Sequence, residues 1–309
     1  NILQTNSAIE VSPKTITQEK IDLLKQKQFF RVSMGVQSFI EEEVKAMGRP
    51  QKLTEVERAI EALKLANFPL LNLDLIYGAA NQTKKSWQYS LDKMLEISPE
   101  EVFLYPLYVR PLTGLGKQAK SWDDFRMDLY IQARDFLLSN GYEQLSMRQF
   151  KKKQALNFTH LAYSAQESPM LGLGVGARSY TKHTHYSSDY AVGREGIKNI
   201  ISDYNERTKE DFSQVNYGFE LSLEEQKRRY LIKSFCEGSG LPILQYQSFF
   251  GINPLDDFPE LEEFFELKLV YEKNHIICLN LEGRKYEDII GPWLYSLEVK
   301  KAIHKFDLK

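Results

Sequence analysis

Four polar side chains lie inside or beside apolar runs of this sequence: Glu10 in AIEV, Gln37 at the end of RVSMGVQ, Arg49 in MGRP and Asp74 in LNLDLIYG. A carboxylate between Leu73 and Leu75 is costly unless it is paired or holds a ligand. Two acids, an amide and a guanidinium gathered in one place suit a zwitterionic ligand. The acids can take an ammonium or ribose hydroxyls, and Arg49 can take a carboxylate in bidentate fashion. Asp74 has a bland alternative, a structural ion pair with Arg49. Gln37 has one too, an amide that satisfies loop backbone. Position alone leaves both open.

Other candidate motifs carry less. Gly172-Leu-Gly174-Val-Gly176-Ala177 has the letters of a dinucleotide fingerprint, but Ser168-Pro169-Met170 precede it and Ser179-Tyr180-Thr181 follow it. The strand before and helix after that the fingerprint needs are missing. Glycines at alternate positions point instead to close backbone approach, either to a planar ligand or to another strand. His183 and His185 fall on one side of any strand, yet two imidazoles do not complete a zinc site, and no metal ligand set is assigned. Cys236 and Cys278 form no CxxC pair and read as buried thiols in a reducing, cytoplasmic setting. Lys151, Lys152 and Lys153 read as a solvated turn.

The elements that must position these residues follow from periodicity. Residues 8–11, 29–37, 68–78 and 101–109 read as strands, the last three nearly continuous apolar runs that suit a parallel sheet buried on both faces. Helices fall between them. Thr17 and Thr83 open two; Thr54 with Glu57 and Ser121 with Asp124 form capping boxes, and Asn140-Gly141 ends the last. Strand, helix, strand at this spacing predicts part of a (β/α) barrel, whose site lies at the C-terminal ends of the strands. Gln37 sits at such an end. A helix is predicted near 194–207, then helices at 222–238 and 260–268, a hairpin from Val270 to Leu281 and a helix over 286–304. The expected division is therefore a partial (β/α) barrel with its connecting segment over 1–215 and a smaller α+β, winged-helix-like domain over 216–309.

The bulk numbers bound the function. The chain has 309 residues, 42% hydrophobic, with a net charge of −2, so no basic excess marks a nucleic-acid grip. No apolar run is long enough to span a membrane, and residues 1–13 carry no secretory signal. Residue 1 is Asn rather than Met, and the sequence is expected to be part of a longer or processed chain.

The strings RVSMGVQSF, GRPQ and LNLDLIYG, with Gln82-Thr83 following, resemble the oxygen-independent coproporphyrinogen III oxidase-like branch of the radical S-adenosylmethionine enzymes. The likeness covers roughly residues 8–190 and extends more loosely to the C-terminal module. It implies a barrel of six βα units of which strands 3–6 are present, binding S-adenosylmethionine and a four-iron–four-sulfur (4Fe-4S) cluster. In such enzymes a reducing electron donor feeds the cluster, and cleavage of the sulfonium yields a 5′-deoxyadenosyl radical. The family's CxxxCxxC loop and Gly-rich GGGTP-like segment are not in this sequence. The likeness places them in roughly 60 or more residues before residue 1, so the chain alone is expected to be inactive. Carried over position by position, Glu10, Gln37, Arg49 and Asp74 match S-adenosylmethionine contacts, as do Tyr108 and Arg178. AANQT at 79–83 replaces the family's Leu-Pro-Gly-Gln-Thr, and SMRQF at 146–150 replaces the Ser-Asn-Phe-Ala of the haem-chaperone relatives. The resemblance thus implies a divergent radical enzyme acting on a tetrapyrrole or similar substrate. The alternatives are a haem-binding chaperone of the same fold and a radical methyltransferase, and the Tyr- and His-rich stretch 180–190 could serve either a substrate or haem.

Overall fold

Alternation in RVSMGVQ and LLNLDLIY sets the architecture of the first part of the chain. The computed structural model describes residues 7–49, 51–108, 125–155, 168–187, 191, 193–215 and 217–305. Strands β1 (Ala8–Val11), β2 (Arg31–Gln37), β3 (Leu70–Tyr77) and β4 (Glu101–Pro106) lie side by side in that order, all parallel. Parallel neighbours require crossovers. Helices α1 (Gln18–Gln26), α2 (Glu41–Ala46) with α3 (Leu53–Ala66), and α4 (Lys84–Ile97) supply them. Helix α5 (Arg126–Ser139) leads into β5 (Tyr142–Gln144) and β6 (Gln149–Lys152), which extend the sheet antiparallel in the order β1-β2-β3-β4-β6-β5. This is an open, partial barrel.

The two faces of the sheet differ. Val32, Met34, Val36, Leu71, Leu73, Leu75, Tyr77, Val102, Leu104 and Phe150 share one core with Ile21, Leu63, Trp87, Leu91 and Leu137 of the helices. Trp87 is fully buried and donates its indole N–H to the Leu129 carbonyl at 2.9 Å. Each such buried side chain contributes roughly 1.5–3 kcal/mol. The opposite face carries Arg31, Ser33, Asn72, Asp74, Glu101, Phe103, Tyr105, Gln149 and Lys151, which the register aligns across β2, β3, β4 and β6. The expected burial of both faces holds, with Ser33, Asn72, Glu101 and Lys151 buried on this side, but the second face is polar. Long aromatic and aliphatic residues on the polar side made the runs read as continuous. Lys151 is also not in a solvated turn: it lies in β6, 5% exposed, opposite Glu101.

Local signals hold with two changes. Thr17 caps α1, and Thr83 with Ser86 forms a capping box on α4. Helix α3 instead starts at Leu53, one residue before Thr54, because Glu41 Oε1 takes the Leu53 N–H at 2.7 Å. The capping box expected at Ser121 and Asp124 lies outside the described residues.

The described residues form two compact units, one of residues up to 155 and the other from 168 onward. In the second, β7 (Arg178–Tyr180), β8 (Thr184–Ser187) and, after α6 (Arg194–Glu206), β9 (Gly218–Glu220) make one antiparallel sheet. The division expected near residue 215 falls between β8 and β9, which pair directly. There follow α7 (Leu223–Cys236), β10 (Leu241–Pro242), α8 (Ile243–Phe250), α9 (Pro254–Asp257), α10 (Glu262–Glu266) and the hairpin β11 (Val270–Lys273) with β12 (Ile276–Leu279). The sheet order β10-β12-β11 with helices packed around Tyr230, Phe235, Tyr246 and Phe264 is winged-helix-like. The helix expected over 286–304 is two, α11 (Glu287–Trp293) and α12 (Leu297–Lys305), since Pro292 cannot continue the hydrogen-bond ladder.

Candidate functional site

Along the polar face, the N-terminal ends of the strands are closed by paired charges. Arg31 Nε donates to Glu101 Oε2 at 2.8 Å, Gln149 Nε2 reaches Glu101 Oε1 at 3.3 Å, and the Arg31 guanidinium lies 5.5 Å from the Phe103 ring centre. One step further, Asn72 Nδ2 donates both to Ser33 Oγ at 2.6 Å and to Asp74 Oδ1 at 2.7 Å.

Asp74 lies beyond that point, and its partner is the neutral Asn72 amide rather than Arg49. Among the described residues it forms no ion pair. Burial pushes its carboxyl up to about 6, an effect that the Asn72 hydrogen bond and Arg31 offset in part and that the nearby Glu10 carboxylate reinforces. Glu10 shares this face from the exposed edge strand β1, through Ser33, its partner in the register.

Gln37 explains why a strand this apolar ends in Gln-Ser. The β2–β3 register slips between Gly35 and Gln37, and Gln37 takes φ = 71°, a left-handed conformation rare outside glycine. Its side chain folds back over Gly35, where an added Cβ would lie 2.5 Å from Gln37 Nε2. Gly35 is opposite Asp74 in the register, so the amide is carried onto the face that holds Asp74. Gln37 is 8% exposed, and among the described residues its amide makes no hydrogen bond. Ser38, by contrast, turns inward and donates to Glu43 Oε2 at 2.6 Å.

At the end of β4, Phe103 and Tyr105 stack at 5.9 Å, and Arg148 lies between Tyr105 and Tyr108, 5.6 and 5.5 Å from their ring centres. Arg148 also donates to the Tyr108 hydroxyl at 2.6 Å. Burial, together with Asp74, pushes the Tyr105 phenol up to about 12 and keeps it protonated.

The structure thus brings Glu10, Gln37 and Asp74 onto one face. Arg49 follows α2, exposed, and forms no ion pair among the described residues. Tyr108 lies just past β4, half exposed, on Arg148. Arg178 belongs to the second unit, at a cleft of about 730 Å³ lined also by His185, Tyr217, Phe219 and α12. There His185 stacks on Tyr180 at 4.3 Å and meets the Phe219 ring edge-on at 5.3 Å. Burial, with Arg178 and Arg229 nearby, lowers its imidazole and favours the neutral form. His183 lies in the preceding turn, and no group of three His, Cys, Asp or Glu among the described residues could hold a metal ion. The glycine run serves close approach: Met170 and Tyr180 exchange backbone hydrogen bonds at 2.8 Å, and a Cβ on Gly172 would lie 2.5 Å from the Arg178 carbonyl.

These residues can be weighed against the two cofactors. The polar face fits S-adenosylmethionine: two acids, an uncommitted amide, and Asn72 Oδ1, buried without a hydrogen-bond partner among the described residues. The iron–sulfur cluster does not fit. It needs three thiolates, and the two cysteines both lie in the second unit; burial and Glu287 push the Cys236 thiol up to about 12.

Sequence reasoning passed over Arg31, Asn72, Tyr105, Arg148 and Glu43. Period-two alternation from Asp74 could have found Asn72 and, through strand pairing, Arg31 and Tyr105. Arg148 and Glu43 reach their positions through tertiary packing that no local spacing encodes.

No protein-family model matches the chain. It is 27% identical over 286 residues to an oxygen-independent coproporphyrinogen III oxidase of Pseudomonas aeruginosa, an alignment covering 85% of this chain and 60% of that protein. It is 23% identical over 300 residues to the heme chaperone HemW of Bacillus subtilis, covering 94% of this chain and 76% of the chaperone. The chain therefore spans about three-fifths of the length of the first relative. Among solved structures, that of coproporphyrinogen III oxidase (HemN) from Escherichia coli, described as a radical SAM enzyme, superposes with a TM-score of 0.74 at 22% identity over 93% of this chain and 69% of that one. That superposition establishes the shared fold. The sequence likeness along most of the chain supports kinship with the oxygen-independent coproporphyrinogen III oxidase and HemW proteins.

Proposed function

We propose that the polar face of β1–β4 binds S-adenosylmethionine and that the whole protein uses it in radical chemistry on a tetrapyrrole or a similarly large conjugated substrate. The observation that carries the reading is Asp74: a half-buried carboxylate with no cation in ion-pair contact among the described residues, beside the Glu10 carboxylate and an amide without a hydrogen-bond partner. Such a group has a reason to remain only if a ligand supplies its partner. Asp74 and Glu10 are suited to an ammonium or ribose hydroxyls and Gln37 to a polar edge. Arg49, Tyr108 and Arg178 are the further contacts the family pattern assigns. Asn72 holds the carboxylate in place by donating from Nδ2 to Asp74 Oδ1. When bound, S-adenosylmethionine supplies the source of a 5′-deoxyadenosyl group. The chain's own residues bind and orient it, and the cluster ligands must come from outside the residues described. Iron–sulfur binding, a reducing electron donor and a cytoplasmic setting belong to the same proposal for the whole protein. Among the described residues no helix is long and apolar enough to cross a membrane.

A second reading, a haem-binding chaperone, is favoured by the length of the match to HemW and by His185, a half-buried imidazole held neutral among Tyr180 and Phe219. A radical methyltransferase keeps the first reading's S-adenosylmethionine site and differs only in substrate chemistry. Calorimetric titration of the 309-residue chain with S-adenosylmethionine, beside a spectral titration with haem, separates the two main readings. Binding of the former that weakens in Asp74→Asn supports the first; a haem band lost in His185→Ala, without binding of the former, overturns it.

A further inference from the structure

Glu43 is a buried carboxylate outside the ligand-facing surface. It sits in α2, 2% exposed, in a run of three glutamates of which Glu41 and Glu42 face solvent. Its Oε2 accepts from Ser38 Oγ at 2.6 Å and from Gln82 Nε2 at 3.1 Å, and its Oε1 accepts from Ser86 Oγ at 2.6 Å. Burying a carboxylate is costly unless its oxygens are satisfied, and here three donors converge on them.

Each donor belongs to a different part of the strand ends. Ser38 follows Gln37 at the end of β2, and its hydroxyl also lies 3.3 Å from that of Ser90 in α4. Gln82 lies in the loop after β3. Its Oε1 takes the Gly78 N–H at 2.6 Å and its Nε2 reaches the Ile76 carbonyl at 3.3 Å. Ser86 belongs to the capping box of α4. One side chain thus joins the C-terminal ends of β2 and β3, the strands that carry Gln37 and Asp74.

The strain at Gln37 gives this joint a purpose. A glutamine at φ = 71°, folded over Gly35, persists only where its surroundings over-determine it. The next residue, Ser38, is the one fixed by Glu43. We infer that Glu43 is a positioning residue: through Ser38 and Gln82 it holds the ends of β2 and β3 so that the Gln37 amide and the Asp74 carboxylate present one preformed surface to S-adenosylmethionine. This rests on the binding reading proposed above.

Conservative replacement separates positioning from mere stability. In Glu43→Gln the amide oxygen can take the place of Oε2 and accept from Ser38 and Gln82. The amide N–H can donate to Ser86 Oγ, which already lies 3.1 Å from the Thr83 carbonyl oxygen as an alternative acceptor. Glu43→Ala removes the one acceptor that the three donors share and so unties them from each other. S-adenosylmethionine affinity is measured by calorimetry on the full 309-residue chain, at a temperature where thermal melting shows each variant folded. The expected result is near-native affinity in Glu43→Gln and a loss of about tenfold or more in folded Glu43→Ala. If Glu43→Ala melts earlier but binds as the wild type does, Glu43 only stabilises the fold and the inference falls. If Glu43→Ala does not fold, Ser38→Ala and Gln82→Ala each remove one tether with Glu43 in place. Weakened binding in both sustains the inference, and native binding in either overturns it. Absence of binding to the wild-type chain overturns the binding reading itself, and this inference with it.

Discussion

Replacing Asp74 by asparagine should stabilise the chain at neutral pH while it weakens the ligand. The Asp74 carboxyl sits at about 6 against 3.8 for an unperturbed group. The folded state therefore binds more protons than the unfolded state between about pH 4 and 6. Stability conferred by the neutral form is fully present below pH 4 and is lost as pH rises through 6. At ~1.4 kcal/mol per pH unit the loss at pH 7 approaches about 3 kcal/mol; with part of the side chain open to solvent, about 1–3 kcal/mol is a fair expectation. Asparagine keeps an oxygen for the Asn72 amide, now at 2.7 Å, and never ionises. Urea denaturation at pH 7 should accordingly show Asp74→Asn more stable than wild type by that amount. The two should converge near pH 4, and the fall in wild-type stability from pH 4 to 6 should flatten in the variant. In the same protein S-adenosylmethionine should bind about tenfold or more weakly, because a charge-assisted hydrogen bond contributes about 1.5–3 kcal/mol. A variant less stable than wild type at pH 7, with unchanged ligand affinity, would refute the reasoning and make Asp74 part of the scaffold.

Gly35→Ala should fold almost normally, because the atom its Cβ meets is the flexible end of Gln37, yet ligand affinity should drop once that amide is displaced; equal affinity would mean Gln37 does not touch ligand. Arg31→Met leaves Glu101, whose side chain is 3% exposed, without its 2.8 Å partner, and chemical denaturation should show a loss of about 3 kcal/mol. Anaerobic reconstitution of the 309-residue chain with iron and sulfide should not yield four irons per chain, since its two cysteines cannot ligate a cluster; iron counting checks it.

How far the sequence revealed this site depends on the range of each interaction. The strands and crossovers were legible because alternation and caps are local: β1 and the helix that Thr83 opens stand where period and residue type placed them. Asp74 and Gln37 stood out because a polar residue in an apolar string is a local anomaly. What escaped were choices made by distant groups. Thr54 does not begin α3 because Glu41, twelve residues before Leu53, takes the first N–H. Lys151 reads as part of a charge run, and only its pairing with β4 turns it inward. The bulge at Gln37 is a backbone event that no side-chain pattern announces.

The polar face itself changes character along the strands, and that change argues where ligand goes. At the N-terminal ends charges are matched: Arg31 with Glu101, a second hydrogen bond from Gln149, and Lys151 alongside. These charges satisfy one another, so they serve stability. Toward the C-terminal ends the matching lapses. The lapse begins, level with Glu101, at Asn72, whose Oδ1 is buried without a partner; further along, Asp74 holds a carboxyl that burial works against, and Gln37 keeps its amide in a conformation that costs backbone strain, all among the described residues. A sheet selected for stability alone has no reason to place its unsatisfied groups together, and least of all beside its strained one. In α/β folds of this kind the C-terminal strand ends are where sites are built. The gradient from paired to unpaired polarity reaches the same end independently, from energetics rather than from fold analogy. It also predicts an order of effects: substitutions at Arg31 or Glu101 should move stability and spare affinity, whereas those at Gln37 or Asp74 should move affinity without a comparable loss of stability. Paired denaturation and calorimetry on the four variants would test that order, and affinity lost at both ends alike would contradict it.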